Sequence, residues 1–288
     1  MISKYTRVCY NNGAQGIGGL FLIGLKGIYS NVDSSTPVID MSESAYYCEQ
    51  FDNPNIWENY FKQVDISLNE LKELAQDNVT VVNESFSEPY IKRFTSKAYD
   101  YLKDTYEKYV SFTDDIEKEF SESLQAIAGK KCLAVCGRGT DYLYANPERH
   151  AIMPEPYFLL EEAERFVNEH GYTHVFLTTE DQHIFDMFKS KFNEKLIAVD
   201  MHRVTRLEVL KAGTICNIPM DMVAFTKAYL KSIFLMSRCD GFIGGSNGSA
   251  LASIVMRGNK EFGDLNIYYL GNIRNYRKYN IYTGEGDN

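Results

Sequence analysis

Basic residues are in the minority in this chain: 30 Lys and Arg stand against 39 Asp and Glu, a formal net charge of −9 over 288 residues. A general nucleic-acid or anionic-membrane surface is excluded on that balance, so any anionic ligand has to meet a local basic site. Cysteine is sparse and scattered at 9, 48, 132, 136, 216 and 239, with no Cys-x-x-Cys and no paired spacing. That argues against a disulfide framework or a zinc ribbon and for reduced thiols in a cytoplasmic protein. The five histidines, at 150, 170, 174, 183 and 202, fall at no metal-ligand spacing. No apolar run reaches the roughly 18 residues of a membrane span, and AQGIGGLFLIGL (14–25) is too broken by glycine for a signal peptide. A protein without a transmembrane or targeting segment is expected.

What the chain does have is a globular composition, 44% hydrophobic and 24% charged, and many aromatic residues, 21 Tyr and 17 Phe against a single Trp. Strand-like and helix-like segments alternate. TRVCY (6–10) reads as a strand, LFLIGLKGIYS (20–30) as a helix and TPVIDM (36–41) as a strand, a βαβ start. Between 66 and 127 three stretches, SLNELKELAQ, SKAYDYLKDTYEKYVSF and DDIEKEFSESLQAIAG, carry apolar residues at helical spacing, and Gly129 closes the last of them. A second series follows: strand KCLAVC (131–136), helix PYFLLEEAERFVNEHG (156–171), strand THVFLTTED (173–181), helix QHIFDMFKSKF (182–192) and strand KLIAVD (195–200). The long helix 221–239, the strand–turn–helix DGFIGGSNGSALASIVM (240–256) and the short strand NIYYLG (266–271) complete it. The pattern predicts an α/β protein of two Rossmann-like αβα domains facing a cleft, 1–128 with a helical insertion and 129–288.

Two glycine-bearing stretches carry the candidate chemistry. GAQGIGG (13–19) lies between a strand and a helix, with Asp33 and Asp40 downstream, and YDYLK supplies Tyr99 and Lys103 at Tyr-x-x-x-Lys spacing. Together they raise an NAD(P)-dependent oxidoreductase as one alternative. The other reading of the same glycines, Gly16, Gly18 and Gly19, is a tight turn on the acceptor side of a cleft. The second stretch is CGRGTDY, in which Cys136 and Gly137 end a strand and Arg138 is followed by Asp141 and Tyr142. Two further candidates accompany it. Glu180 and Asp181 sit at a strand's C-terminal end, where they either orient a base or ribose or cap the next helix. Ser246, Asn247, Gly248 and Ser249 form a turn before a helix, suited equally to a helix cap and to a diphosphate. No Asp-x-Asp sits at a strand end, since DMVAF and DDIEK read as helical, and no metal is expected.

CGRGTDY resembles the His-x-Arg-Arg-x-Asp-Tyr element of the fucosyltransferase superfamily, which includes α-1,2-, α-1,6- and protein O-fucosyltransferases. VFLTTEDQHIFDMFKSKF and FLMSRCDGFIGGSNGSALASI resemble the later blocks of that family in order, and PVIDM with SAYYCEQFDNPNIWENYF resembles the N-terminal half of its α-1,6 branch. Arg138, Asp141 and Tyr142 match. Cys136 stands where the family has a His that contacts the donor nucleotide, and Gly139 where it often has a second Arg.

The resemblance implies a GT-B-type, metal-independent, inverting glycosyltransferase that moves fucose from GDP-fucose onto a glycan or lipid-linked oligosaccharide acceptor, with no other cofactor. The donor would bind the C-terminal half through Cys136, Gly137, Arg138, Asp141, Tyr142, Glu180, Asp181 and the turn 246–249. The chemistry asks for Arg138 independently, because a departing nucleoside diphosphate needs a fixed cation at its β-phosphate. An Arg138–Asp141 pair kept only for folding is the structural alternative. A base is sought in the loop after Asp141, which offers Glu148, His150 and Glu155; in the α-1,6 branch a catalytic Glu followed by a His falls there, making Glu148 the candidate. The missing His and second Arg leave a catalytically inactive sugar-nucleotide-binding protein as a further alternative.

Overall fold

The computed structural model describes residues 4–10, 16–44, 46, 49–84, 99–144, 150–212 and 217–271. Its N-terminal half opens with β1 (Tyr5–Cys9), α1 (Ile17–Asn31) and β2 (Thr36–Asp40). β1 and β2 run parallel, Val8 opposite Ile39, as a βαβ crossover requires. A third strand, β3 (Val79–Asn83), pairs parallel on the other side of β1, giving the order β2-β1-β3. That strand is absent from the sequence expectation. Its central residues Thr80 and Val81 are exposed, so VTVVN lacks the apolar alternation that marks a half-buried strand.

Three helices follow in sequence: α2 (Leu68–Glu73), α3 (Asp100–Tyr109) and α4 (Asp114–Ser123). α2 is shorter than SLNELKELAQ suggests. A capping box between Ser67 and Glu70 starts it, and the extended backbone of Leu74 ends it after six residues. Gly129, at φ +71°, turns the chain after α4.

The C-terminal half is one parallel sheet built from β4 (Cys132–Cys136), β5 (His174–Thr178), β6 (Leu196–Ile197), β7 (Gly241–Gly245) and β8 (Asp264–Tyr268), in the order β6-β5-β4-β7-β8. Between the strands lie α5 (Thr140–Tyr144), α6 (Pro156–His170), α7 (Gln182–Phe192), α8 (Arg206–Ala212), α9 (Met222–Met236) and α10 (Gly248–Met256). α6 and α7 fall where the apolar spacing puts them, and Gly171 ends α6 in the left-handed conformation, φ +68°. KLIAVD supplies only two paired residues. The chain leaves the sheet after Ile197 and returns to form a single bridge between Val204 and Asp181. In this strand order the chain reverses direction between β4 and β7, and open α/β sheets bind ligands in the crevice at the carboxyl ends of such a pair.

The two halves share their interior. α1 packs on α3 of its own half and on α9 and α10 of the other. Phe234 of α9 meets Phe112 and Phe120, at centroid distances of 5.7 and 5.5 Å. One apolar cluster runs from Val8 through Phe21 and Trp57 to Leu230 and Met256. Among the described residues no helix is long and apolar enough to cross a membrane.

Candidate functional site

Arg138 stands two residues beyond the end of β4, at the reversal between β4 and β7. Its Nη1 lies 2.6 Å from Oε1 of Glu180, a carboxylate with no exposed surface, while the arginine side chain keeps 17% of its own. The expected alternative partner, Asp141, is the second residue of α5 and lies outside the described side chains. The same Oε1 accepts from the Gly139 amide (3.1 Å) and the Thr140 hydroxyl (2.9 Å). From Oε2 a buried chain continues: Tyr229 donates its hydroxyl to Glu180 at 3.4 Å, and Ser249 donates to Tyr229 at 3.1 Å. Burial and the Glu180 charge beside it raise the Tyr229 pKa well above the ordinary tyrosine value. Tyr229 therefore stays a neutral donor, and the start of α10 is tied to Arg138 through three side chains.

Thr140 is buried at φ +49°, left-handed backbone that costs a β-branched residue about 1–3 kcal/mol. It is pinned from two sides, its hydroxyl on Glu180 and its amide on Asp181 Oδ2 (3.1 Å). Asp181 also caps α7, its Oδ1 accepting from His183 (2.9 Å) and Ile184 (3.1 Å). Neither acid of the pair is solvent-accessible. Glu180 braces the arginine and Asp181 caps a helix, so both side chains are committed to the protein's own groups. Gly139 belongs to the same arrangement: a Cβ there would sit 2.5 Å from the Asp181 Cβ, which leaves no room for the second arginine of the resembled motif.

β7 ends opposite β4, Gly244 in register with Cys136. Beyond it Asn247 caps α10, Oδ1 accepting from the Ser249 and Ala250 amides at 3.0 Å each. Two of that helix's orphan donors are thus used internally, and the Ser246 amide donates to the Tyr268 carbonyl (3.2 Å). The Cys136 thiol is fully buried beside Asn247 Oδ1, at 3.8 Å, and burial pushes its pKa up to about 12.

The glycines of the first half arrive at this same place. Gly16 precedes α1 and offers no side-chain cap, and the first turn of α1 holds no acid. Gly18 lies so close to α10 that a Cβ would meet Ser249 Cα at 3.0 Å, and a Cβ on Gly248 would meet the Gly19 amide nitrogen at 3.3 Å. The two helix N-termini therefore touch. Their positive ends add at the seam between the sheets, and that of α1 has no side-chain cap.

Tyr142 lies beneath Arg138, guanidinium carbon to ring centroid 4.8 Å, with His150 edge-on to it at 5.2 Å. Glu155 precedes α6 at its N-cap position without a side-chain capping bond. Glu148 lies outside the described residues. Sequence reasoning missed Tyr229, which reads as one more apolar position on α9, and Thr140, whose unusual backbone has no sequence signal. The pieces of the oxidoreductase alternative do not assemble. Asp40 is engaged by Arg7 and Ser42, Tyr99 is buried, and Lys103 lines a cavity at the opposite end of α10.

Two Rossmann-like αβα units, meeting at the carboxyl ends of their parallel strands over the start of α10, define a GT-B-like fold of the fucosyltransferase kind. Among solved structures the chain is similar to the α-1,6-fucosyltransferase NodZ co-crystallised with GDP, at 14% identity and TM-score 0.55 over 87% of this chain and 91% of that one. NodZ soaked with GDP-fucose gives 13% and 0.53 over 88% and 92%, and the fucosyltransferase NodZ from Bradyrhizobium 13% and 0.53 over 87% and 92%. At such identities the likeness is one of fold. No protein-family model matches the chain, nor does any curated protein sequence.

Proposed function

We propose that the chain is a glycosyltransferase that moves fucose from GDP-fucose to a hydroxyl of a glycan or lipid-linked oligosaccharide. The observation that carries this reading is the position of Arg138. A guanidinium braced by a buried carboxylate stands at the strand-order reversal of the second sheet, linked to the seam where two helix N-termini meet. As the bond from the sugar C1 to the β-phosphate oxygen lengthens, negative charge collects on the diphosphate. Arg138 and the amides of the α1 turn at Gly16, Gly18 and Gly19 take it up. Because Glu180 fixes the guanidinium beforehand, little reorganisation is left for the transition state. The acceptor oxygen attacks C1 from the opposite face and inverts it. Its proton passes to Glu148 or to the departing phosphate.

In this scheme the C-terminal half holds the donor and the N-terminal half the acceptor. Cationic and amide donors do the work a metal does elsewhere, so turnover is expected to survive EDTA. The buried Cys136, in place of a histidine that contacts the nucleotide, favours the second reading, a protein that binds a nucleotide sugar and does not turn it over.

Calorimetric titration with GDP, UDP and NADH, followed by transfer of labelled fucose from GDP-fucose over a panel of glycan acceptors, tests both. GDP binding with transfer is expected. GDP binding without transfer on any acceptor selects the second reading. No binding of GDP, or binding of NADH in its place, overturns the proposal.

A further inference from the structure

At the far end of α10, away from the site, the two halves enclose a second cavity of about 260 Å³. Lys103 of α3 enters it from the N-terminal half, and Arg257 and Lys260 enter from the segment that follows α10. Ile254, Phe262 and Leu265 form an apolar wall, and Glu261 is the one acid of the lining.

Lys103 is only 6% exposed, and its ion-pair partner Asp100, at 3.2 Å, is itself half in solvent. Arg257 stacks on the Phe262 ring, 4.0 Å from its centroid. It donates to three carbonyls, those of Ser237 (3.1 Å), Cys239 (2.5 Å) and Glu261 (2.7 Å). Carbonyls satisfy its hydrogens and leave its charge unmatched. Its Nε is buried without a hydrogen-bond partner, and among the described residues no carboxylate lies within ion-pairing distance of Arg257 or Lys260. The C-terminal end of α10 attracts cations, which accounts for Arg257 and Lys260 but not for Lys103, borne by another helix.

A partly desolvated cluster of three cations is costly without an anion, the more so in a chain whose overall charge is negative. We propose that this cavity binds the phosphate group of a small phosphomonoester, at a site separate from the nucleotide-sugar cleft, so that one dianion ties Lys103 of the first half to Arg257 and Lys260 of the second. The strongly charged phosphate matches the three cations, and the apolar wall accommodates the organic part of the ester. Occupancy at the seam of the two halves stabilises their association.

Inorganic phosphate is the probe. Tm of the intact chain is followed as phosphate rises through about 1–30 mM at constant ionic strength set with chloride, for the unmodified protein, Lys260→Ala, Lys103→Met and Arg138→Ala. Expected is a saturable rise of at least about 2 °C that is lost in Lys260→Ala and Lys103→Met and kept in Arg138→Ala. A rise lost in Arg138→Ala and kept in Lys260→Ala assigns the anion to the cleft and overturns the proposal. An equal response in all four proteins, or none in the unmodified one, overturns it as well. Lys260 is exposed, so its variant reads the pocket whether or not Lys103→Met folds.

Discussion

Arg138 and Glu180 are joined so closely that removing either one tests two things at once. Arg138→Ala should lower kcat/KM by about 10²–10³, the range for one preorganised charge-stabilising donor. It also strands a buried carboxylate, which costs about 3–5 kcal/mol of stability. Arg138→Ala/Glu180→Gln separates the effects: the double variant should recover most of the Tm and none of the turnover, whereas recovery of both would assign the pair to folding alone. Arg138→Lys should restore turnover only in part, since a point charge lacks the fork geometry. Cys136 gives a second residue-level expectation. With its thiol pKa pushed up to about 12 by burial, it should resist iodoacetamide at pH 8 in the native protein and react only as fast as the chain unfolds. Asp40 gives a third. Burial alone would raise its pKa, yet hydrogen bonds from Ser42 and Arg7 outweigh that and hold it below the ordinary carboxylate value. A depressed native pKa contributes stability above the unfolded value of about 4, and that stability is lost as pH falls through the native one. Asp40→Asn should therefore flatten the acid limb of the Tm-against-pH curve; an unchanged limb would remove Asp40 from acid stability.

At the scale of elements, the junction between β4 and α5 is the least forgiving part of the chain. Gly139→Ala places a methyl group on Asp181, and overpacking of that kind costs about 1–3 kcal/mol. The same change made with Asp181→Gly should cost less than the sum of the two single changes. Additivity in a double-mutant cycle of urea midpoints would show that the contact does not limit the site. The long amphipathic helices α6, α7 and α9 were legible in the sequence because their apolar spacing persists for several turns. β3 and most of 195–200 were misread because one strand is exposed and polar, while the other segment is apolar yet leaves the sheet to brace Asp181. In the same way CGRGTDY and SNGS drew the eye to the right strand ends. The partner of the arginine did not show, for Glu180 lies 42 positions further along, and only parallel pairing of β4 with β5 brings the two together.

For the molecule as a whole, the continuous apolar cluster predicts one cooperative transition rather than two. Trp57, the single tryptophan, is buried in the first half against Phe61, 4.6 Å between centroids, so its fluorescence follows that half while far-UV circular dichroism follows both. The two thermal curves should coincide, and fragment 129–288 alone, stripped of the α1 contacts on α9 and α10, should fail to give a sharp transition. A fluorescence change well ahead of the dichroism would mean that the halves melt separately. The embrace of α1 by both halves also bears on how a ligand enters and leaves. Two bodies that swing apart need a thin waist, and here the waist is a helix wedged into the opposite core. Whatever gating the cleft performs must then fall to its margins, so the pace of product escape should answer to substitutions in the loops around Arg138 and hardly at all to solvent viscosity acting on whole-domain rotation.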